Sequence, residues 1–181
     1  MLPLAFSRFL CELFALRNDV LGDRCRNGTG IIVQGTNIKV TGNRIAQQRK
    51  FELPGSIGIA LIGEARAVDI TENSVAGFGT GIDVSCPANG IVLSRNTIAV
   101  TSGGMNAIAV GATGQIVREV AIDSNVARNG GVVMLGANVD HRSVLLRNNV
   151  FFGSRGSQMP CVNMTSGSAL LADSGNVCTM E

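Results

Sequence analysis

The chain has no tryptophan and no tyrosine, a single histidine, His141, and four prolines among 181 residues. Charged residues are 15% of it, and the net charge is +2. Each shortage narrows the field. Saccharide clefts commonly use aromatic platforms with a polar rim, so such a cleft here would depend on Asn, Asp and Arg. The near-neutral balance removes the case for nucleic acid or a membrane surface as a partner. No apolar run approaches the length of a membrane span. The five cysteines, Cys11, Cys25, Cys86, Cys161 and Cys178, contain no Cys-x-x-Cys pair and no metal-ligand spacing. An odd total argues against a full disulfide framework. Free, buried thiols are the expectation, with Cys161 and Cys178 near enough in sequence to bridge.

What the chain does have is an asparagine at a fixed place in a repeated phrase, apolar-x-apolar-x-x-Asn-x-apolar. It reads Ile38-x-Val40-x-x-Asn43-x-Ile45, then Val68-x-Ile70-x-x-Asn73-x-Val75, then Ile91-x-Leu93-x-x-Asn96-x-Ile98. It returns as Val120-x-Ile122-x-x-Asn125-x-Ala127, Val144-x-Leu146-x-x-Asn149-x-Phe151 and, degraded, Leu171-x-Asp173-x-x-Asn176-x-Cys178. The asparagines lie 30, 23, 29, 24 and 27 residues apart. A return at this period signals a solenoid.

A second element precedes each phrase: Gly30-Ile31-x-Val33, Gly58-Ile59-x-Leu61, Gly81-Ile82-x-Val84, Ala107-Ile108-x-Val110, Gly131-Val132-x-Met134 and Cys161-Val162-x-Met164. Each copy thus holds three short runs of period-two alternation, which is the strand signal. One copy cannot bury its own apolar face, but stacked copies can. The spacing predicts an all-β parallel β-helix of about six coils, with strands about 4.8 Å apart along a column about 24 Å tall. The asparagine falls where the chain must bend sharply. Asn tolerates a left-handed backbone, and amides in register can bond up the column. Asn43, Asn73, Asn96, Asn125, Asn149 and Asn176 are therefore expected to form a structural ladder.

On these residues the segment 28–181 resembles the right-handed parallel β-helix proteins of the pectate-lyase-like superfamily. The resemblance implies the right hand of the coil, which agrees with the rule for parallel crossovers. It also implies a setting outside the cell or on a virion, and a polysaccharide partner. Members include polysaccharide lyases, hydrolases, epimerases, phage tailspikes and non-catalytic surface proteins. Their saccharide sites usually lie on the outer face of the first strand and its flanking turns. Calcium enters as a cofactor through the resemblance alone.

Residues 1–26 break the repeat. Leu2, Phe6, Phe9, Leu10, Leu13, Phe14 and Leu16 recur at helical spacing, and Arg8 and Glu12 interrupt any secretory signal core. This segment is expected to be an amphipathic helix capping the first coil, or a remnant of an upstream domain, with residues 27–181 as the β-helix.

Alternation predicts two outward columns on the first-strand face: Ile32, Ala60, Asp83, Ala109, Val133 and Asn163, beside Gln34, Ile62, Ser85, Gly111, Leu135 and Thr165. They contain one acid. A lyase needs a base and usually a carboxylate-built calcium site, and a hydrolase needs two facing carboxyls. Neither set is present on this face. The best polar cluster lies in the turns after the first strand. His141, Asp140 and Asp83 are the candidate catalytic residues, because His is the side chain that titrates near neutrality. Arg118, Glu119, Arg142, Glu64 and Asn89 are the candidate substrate-binding residues, with Arg66 beside Glu64. A solvated turn would carry the same charges. Ile32, Ile62, Val133 and Leu135, all outward by alternation, form an apolar patch. It suits a homotrimer through this face, or a covering by the turns at 106–119 and 150–160. Two function classes follow: a polysaccharide-binding or polysaccharide-cleaving β-helix, and a non-catalytic structural segment of a surface or tailspike-like protein.

Overall fold

A computed structural model describes residues 19–21, 28–47, 55–101, 106–111, 114–129, 132–153, 161–164, 170 and 172–180. The chain winds as a parallel β-solenoid with three strand faces. The first face takes the N-terminal halves of β2 (Thr29–Thr41) and β4 (Ile57–Thr71), then β6 (Thr80–Val84), β9 (Asn106–Val110), β12 (Val132–Leu135) and β15 (Val162–Met164). The second takes the C-terminal halves of β2 and β4, then β7 (Ala88–Ser94), β10 (Val117–Asp123), β13 (Val144–Arg147) and β16 (Ala172–Ser174). The third stacks β1 (Asp19–Leu21), β3 (Arg44–Ala46), β5 (Ser74–Phe78), β8 (Thr97–Val100), β11 (Val126–Arg128), β14 (Val150–Gly153) and β17 (Val177–Met180). Because β2 and β4 run through the corner, the first two faces merge into one ten-stranded sheet beside the seven-stranded third face.

About four coils, from β4 to β14, are described nearly throughout, and the outer copies of the six expected contribute strands to the same ladders. The ladder also begins before residue 27: Asp19–Leu21 pairs in parallel with Arg44–Ala46. The rest of the expected helical cap lies outside the described residues, as do Cys11 and Cys25.

The aliphatic rows form the core. Ile31, Ile59, Ile82, Ile108 and Val133 line the first face, Val40, Ile70, Leu93, Ile122 and Leu146 the second, and Ile45, Val75, Ile98, Ala127 and Phe151 the third; none is more than 2% exposed. Burying each large aliphatic side chain stabilises the fold by about 1.5–3 kcal/mol. The rows compensate one another. A Cβ on Gly30 would lie 2.5 Å from Ile45 Cγ2, and those on Gly58 and Gly81 would fall inside the Val75 and Ile98 side chains. At the next rung Ala107 takes the glycine position, and the third-face row there narrows to Ala127.

One expectation about the first face fails. Its register shifts between Val132 and Val133, so Val133 pairs with Ile108, and Met134 with Ala109. A one-residue slip turns every side chain to the other face. Val133 and Leu135 are consequently core residues, each 0% exposed. The predicted outward apolar patch is reduced to Ile32, part-buried, and Ile62, 37% exposed.

The asparagine ladder is present, with one correction. The left-handed residue of each corner is not the asparagine but the residue before it: Gly42, Glu72, Arg95, Ser124, Asn148 and Gly175, with φ between 53° and 69°. That bend turns the following side chain inward. From Asn73 to Asn176 each ladder Oδ1 accepts two bonds, from the backbone N–H and the Nδ2 of the asparagine one rung earlier, at 2.9–3.0 Å. Each Nδ2 from Asn73 onward also donates to a carbonyl of the previous coil: Val40, Ile70, Leu93, Ile122 or Leu146. Asn43 to Asn149 are buried and Asn176 is part-buried. Buried amides need such partners, and the stack supplies them.

Cys161 and Cys178 are joined in a disulfide with their Cα atoms 6.1 Å apart, whereas Cys86 is a free, buried thiol. The expectation of free cysteines therefore holds for Cys86 and fails for this pair.

Candidate functional site

The corner between the first and second faces carries a polar column. Thr36 pairs in register with Arg66, Arg66 with Asn89, and Asn89 with Arg118. A bridge from Val117 to Val139 then sets Asp140 next in line. Neighbouring members are one strand spacing apart, so Arg66 and Arg118 are separated by about 10 Å along the axis. The backbone explains why these side chains point outward at a corner. The residue after each, Asn37, Ala67, Gly90 or Glu119, is left-handed, with φ between 49° and 69°.

Two adjoining hollows follow the column. One, of about 310 Å³, is lined by Glu64, Arg66, Pro87, Asn89, Ile116 and Arg118. The other, of about 400 Å³, is lined by Ile116, Arg118, Asn138, Val139 and Asp140. They share Ile116, which is 59% exposed, and Arg118. The result is an open groove parallel to the solenoid axis, with one apolar side chain at its middle and charges of both signs.

Glu64 and Arg66 form an ion pair, with side chains 61% and 63% exposed. Exposed pairs of this kind contribute about 0–1 kcal/mol to stability. Arg118 has no ion-pair partner among the described residues. Glu119 sits beside the groove, its backbone N–H donating to Ser143 Oγ at 2.9 Å, and that hydroxyl donates to the Asp140 carbonyl oxygen at 2.7 Å. These bonds tie the next coil's turn to the column.

The sequence-predicted binding residues Glu64, Asn89 and Arg118 are thus brought together, and Asp140 joins them. Arg142 is exposed within a single 3-10 turn, His141–Ser143. His141 is 2% exposed, and its Nε2 donates to the Gly136 carbonyl oxygen at 3.2 Å. Asp83 stands apart, on the first face between Ala60 and Ala109. Its Oδ1 accepts a bond from the Ser85 hydroxyl. Burial pushes its carboxyl above the usual carboxylate range, and the Ser85 bond opposes that. The adjacent Cys86 thiol is pushed up to about 11 by burial, with the Asp83 charge adding to it.

No three His, Cys, Asp or Glu side chains converge as a metal-holding group among the described residues. No described helix is long and apolar enough to cross a membrane.

Sequence reading missed Thr36, Ile116 and Asn138. A signal for the column was available: Thr36, Arg66, Asn89 and Arg118 each stand seven residues before a ladder asparagine. Arg142 has the same offset, but the 3-10 turn moves it out of line and Asp140 occupies the place.

Compared with protein-family models, curated proteins and solved structures, the chain matches none.

Proposed function

We propose that this chain is a polysaccharide-binding β-helix of the pectate-lyase-like kind, working outside the cell or on a virion surface, and that the glycan lies in the corner groove. The observation that carries this reading is the register of Arg66, Asn89 and Arg118 on consecutive rungs. Such a row repeats hydrogen-bonding side chains along one line, as a chain of repeating sugars would require. The open groove and its lack of aromatic rings favour multiple weak polar contacts over one deep pocket. The Cys161–Cys178 bond supports the setting, since disulfides persist in oxidising compartments.

Catalysis is not part of the proposal. The His141 ring is buried against Gly136, and Asp83 is half-buried against Ser85, in a different column from Asp140. Among the described residues that line the groove, the carboxyls are Asp140 and Glu64, the latter paired with Arg66. A structural role is the second reading, and one observation favours it: on the third face Val126, Val150 and Val177 align outward, the last 46% exposed. Side-by-side association as a homotrimer would cover such a stripe.

A glycan array combined with sedimentation separates the two. Glycan binding by a monomer supports the first reading. A silent array with a stable trimer supports the second and removes the first.

A further inference from the structure

Two rows of side chains run along the corner groove, on either side of the buried line Ala65, Ala88, Val117 and Val139. The row after that line is Arg66, Asn89, Arg118 and Asp140. The row before it is Glu64, Pro87, Ile116 and Asn138. Bonds from the Ala65, Ala88 and Val117 amides to the Pro87, Ile116 and Asn138 carbonyl oxygens hold this second row in step. Every member of both rows is exposed. Residues two apart on one strand are separated by about 6.6 Å, so a narrow ligand touches both rows at once.

The rungs differ in charge. At the first, Glu64 and Arg66 offset each other. At the second, the Asn89 amide stands beside Pro87. At the third, the Arg118 guanidinium stands beside Ile116. At the fourth, the Asp140 carboxylate stands beside Asn138, whose Nδ2 donates to the Gly114 carbonyl oxygen. From Asn89 onward the row therefore reads neutral, cation, anion. One rung is about 4.8 Å, close to the advance of one residue in an extended, equatorially linked pyranose chain. A chain lying in the groove sets about one sugar beside each rung.

Charge then decides which sugars those are. A guanidinium matches a carboxylate with a planar fork of donors, so an acid sugar belongs beside Arg118. The same acid one residue on would face Asp140, and like charges brought together exclude a partner. A neutral sugar there donates its hydroxyls to the Asp140 carboxylate. Asn89 is both donor and acceptor and serves a neutral sugar on the other side. Pro87 and Ile116 give apolar surface to ring C–H faces or to a substituent methyl.

We propose, on the reading that the groove holds a glycan, that its ligand is an alternating copolymer with a carboxylate on every second sugar. Arg118 selects the acid, and Asp140 rejects a second acid beside it. A uniform polyuronate brings a charge against Asp140, and a neutral chain leaves Arg118 without an anion.

Calorimetric titration of the full chain tests this with three oligosaccharides of equal length: alternating glucuronate and N-acetylglucosamine, uniform galacturonate, and neutral β-linked glucose. The alternating chain is expected to bind about tenfold more tightly than either of the others. Asp140→Asn should narrow its lead over the uniform chain to about threefold or less, and Arg118→Gln should remove its lead over the neutral chain. Equal binding of the uniform and alternating chains by the parent overturns the inference. So does an Asp140→Asn variant that keeps the full discrimination. Either result leaves the glycan reading standing. Silence toward all three chains also overturns the inference, and the glycan reading falls with it only when the glycan array is silent too.

Discussion

Asn96 donates twice to a single atom: its backbone N–H and its Nδ2 both reach the Oδ1 of Asn125, each at 3.0 Å. The ladder is therefore directional, with each oxygen from Asn73 to Asn176 holding two donors of the rung before it. Asn96→Ala removes the acceptor of the Asn73 backbone N–H and Nδ2, and leaves the Ile70 carbonyl without its amide. An orphaned buried group costs about 1–3 kcal/mol. Denaturant unfolding is expected to show a loss of about 3–5 kcal/mol for this variant, and about 1–2 kcal/mol for Asn176→Ala at the part-buried end. The opposite order would contradict the ladder.

The small residues of the first face are matched to the third-face row. Gly81→Ala places a Cβ inside the Ile98 side chain and 2.5 Å from the Ala107 carbonyl oxygen. Such overpacking costs about 1–3 kcal/mol. Ala127→Ile should cost a similar amount, because Ala107 stands where other rungs have glycine. Adding Ala107→Gly should relieve it, with a favourable coupling of about 1 kcal/mol in a double-mutant cycle. Strict additivity would show that the two positions do not share space.

Ala67 is a left-handed alanine, φ 49°, in a column whose next member is Gly90. Left-handed backbone costs an L-residue about 1–2 kcal/mol. Ala67→Gly is expected to raise stability by up to about 1 kcal/mol, since glycine's extra unfolded-state entropy offsets part of the gain. Ala67→Val is expected to lower it. Thermal unfolding of the pair checks both signs.

Burial acts to raise the Asp123 carboxyl, but bonds from Arg147, Ser124 and Asn148 outweigh it and hold the group below the usual carboxylate range. A depressed folded pKa gives stability that is fully present above the unfolded value of about 3.9 and lost as pH falls through the folded one. Asp123→Asn should therefore be less stable than the parent at neutral pH, and the two should converge in acid. A constant difference down to the lowest pH measured would refute the assignment.

The sequence foretold the solenoid because its signal is local and repeated. Alternation places Ile59, Ile82 and Ile108 inward, and the asparagine period gives the stacking. It failed where one residue changes register. The slip at Val132 is invisible in a run such as Gly-Gly-Val-Val-Met-Leu, where either phase buries apolar side chains. It also misassigned the left-handed corner. Asn is the textual marker, yet its side chain is needed inside, so the bend falls to neighbours as unlike as Gly42 and Arg95. In the site, Arg118 and Asn89 were readable from their offset to the ladder. The burial of His141 was not, because it depends on a 3-10 turn that shifts Asp140 into the column.

The functional account depends on that column most of all. Its most direct measurement is a titration of the whole chain with array-selected glycan, beside Arg118→Ala and Asn89→Ala variants of unchanged circular dichroism. Each exposed variant should bind about tenfold more weakly or worse, the loss of one good polar contact, about 1.4 kcal/mol. Binding equal to the parent in both variants would contradict a glycan lying along these rungs.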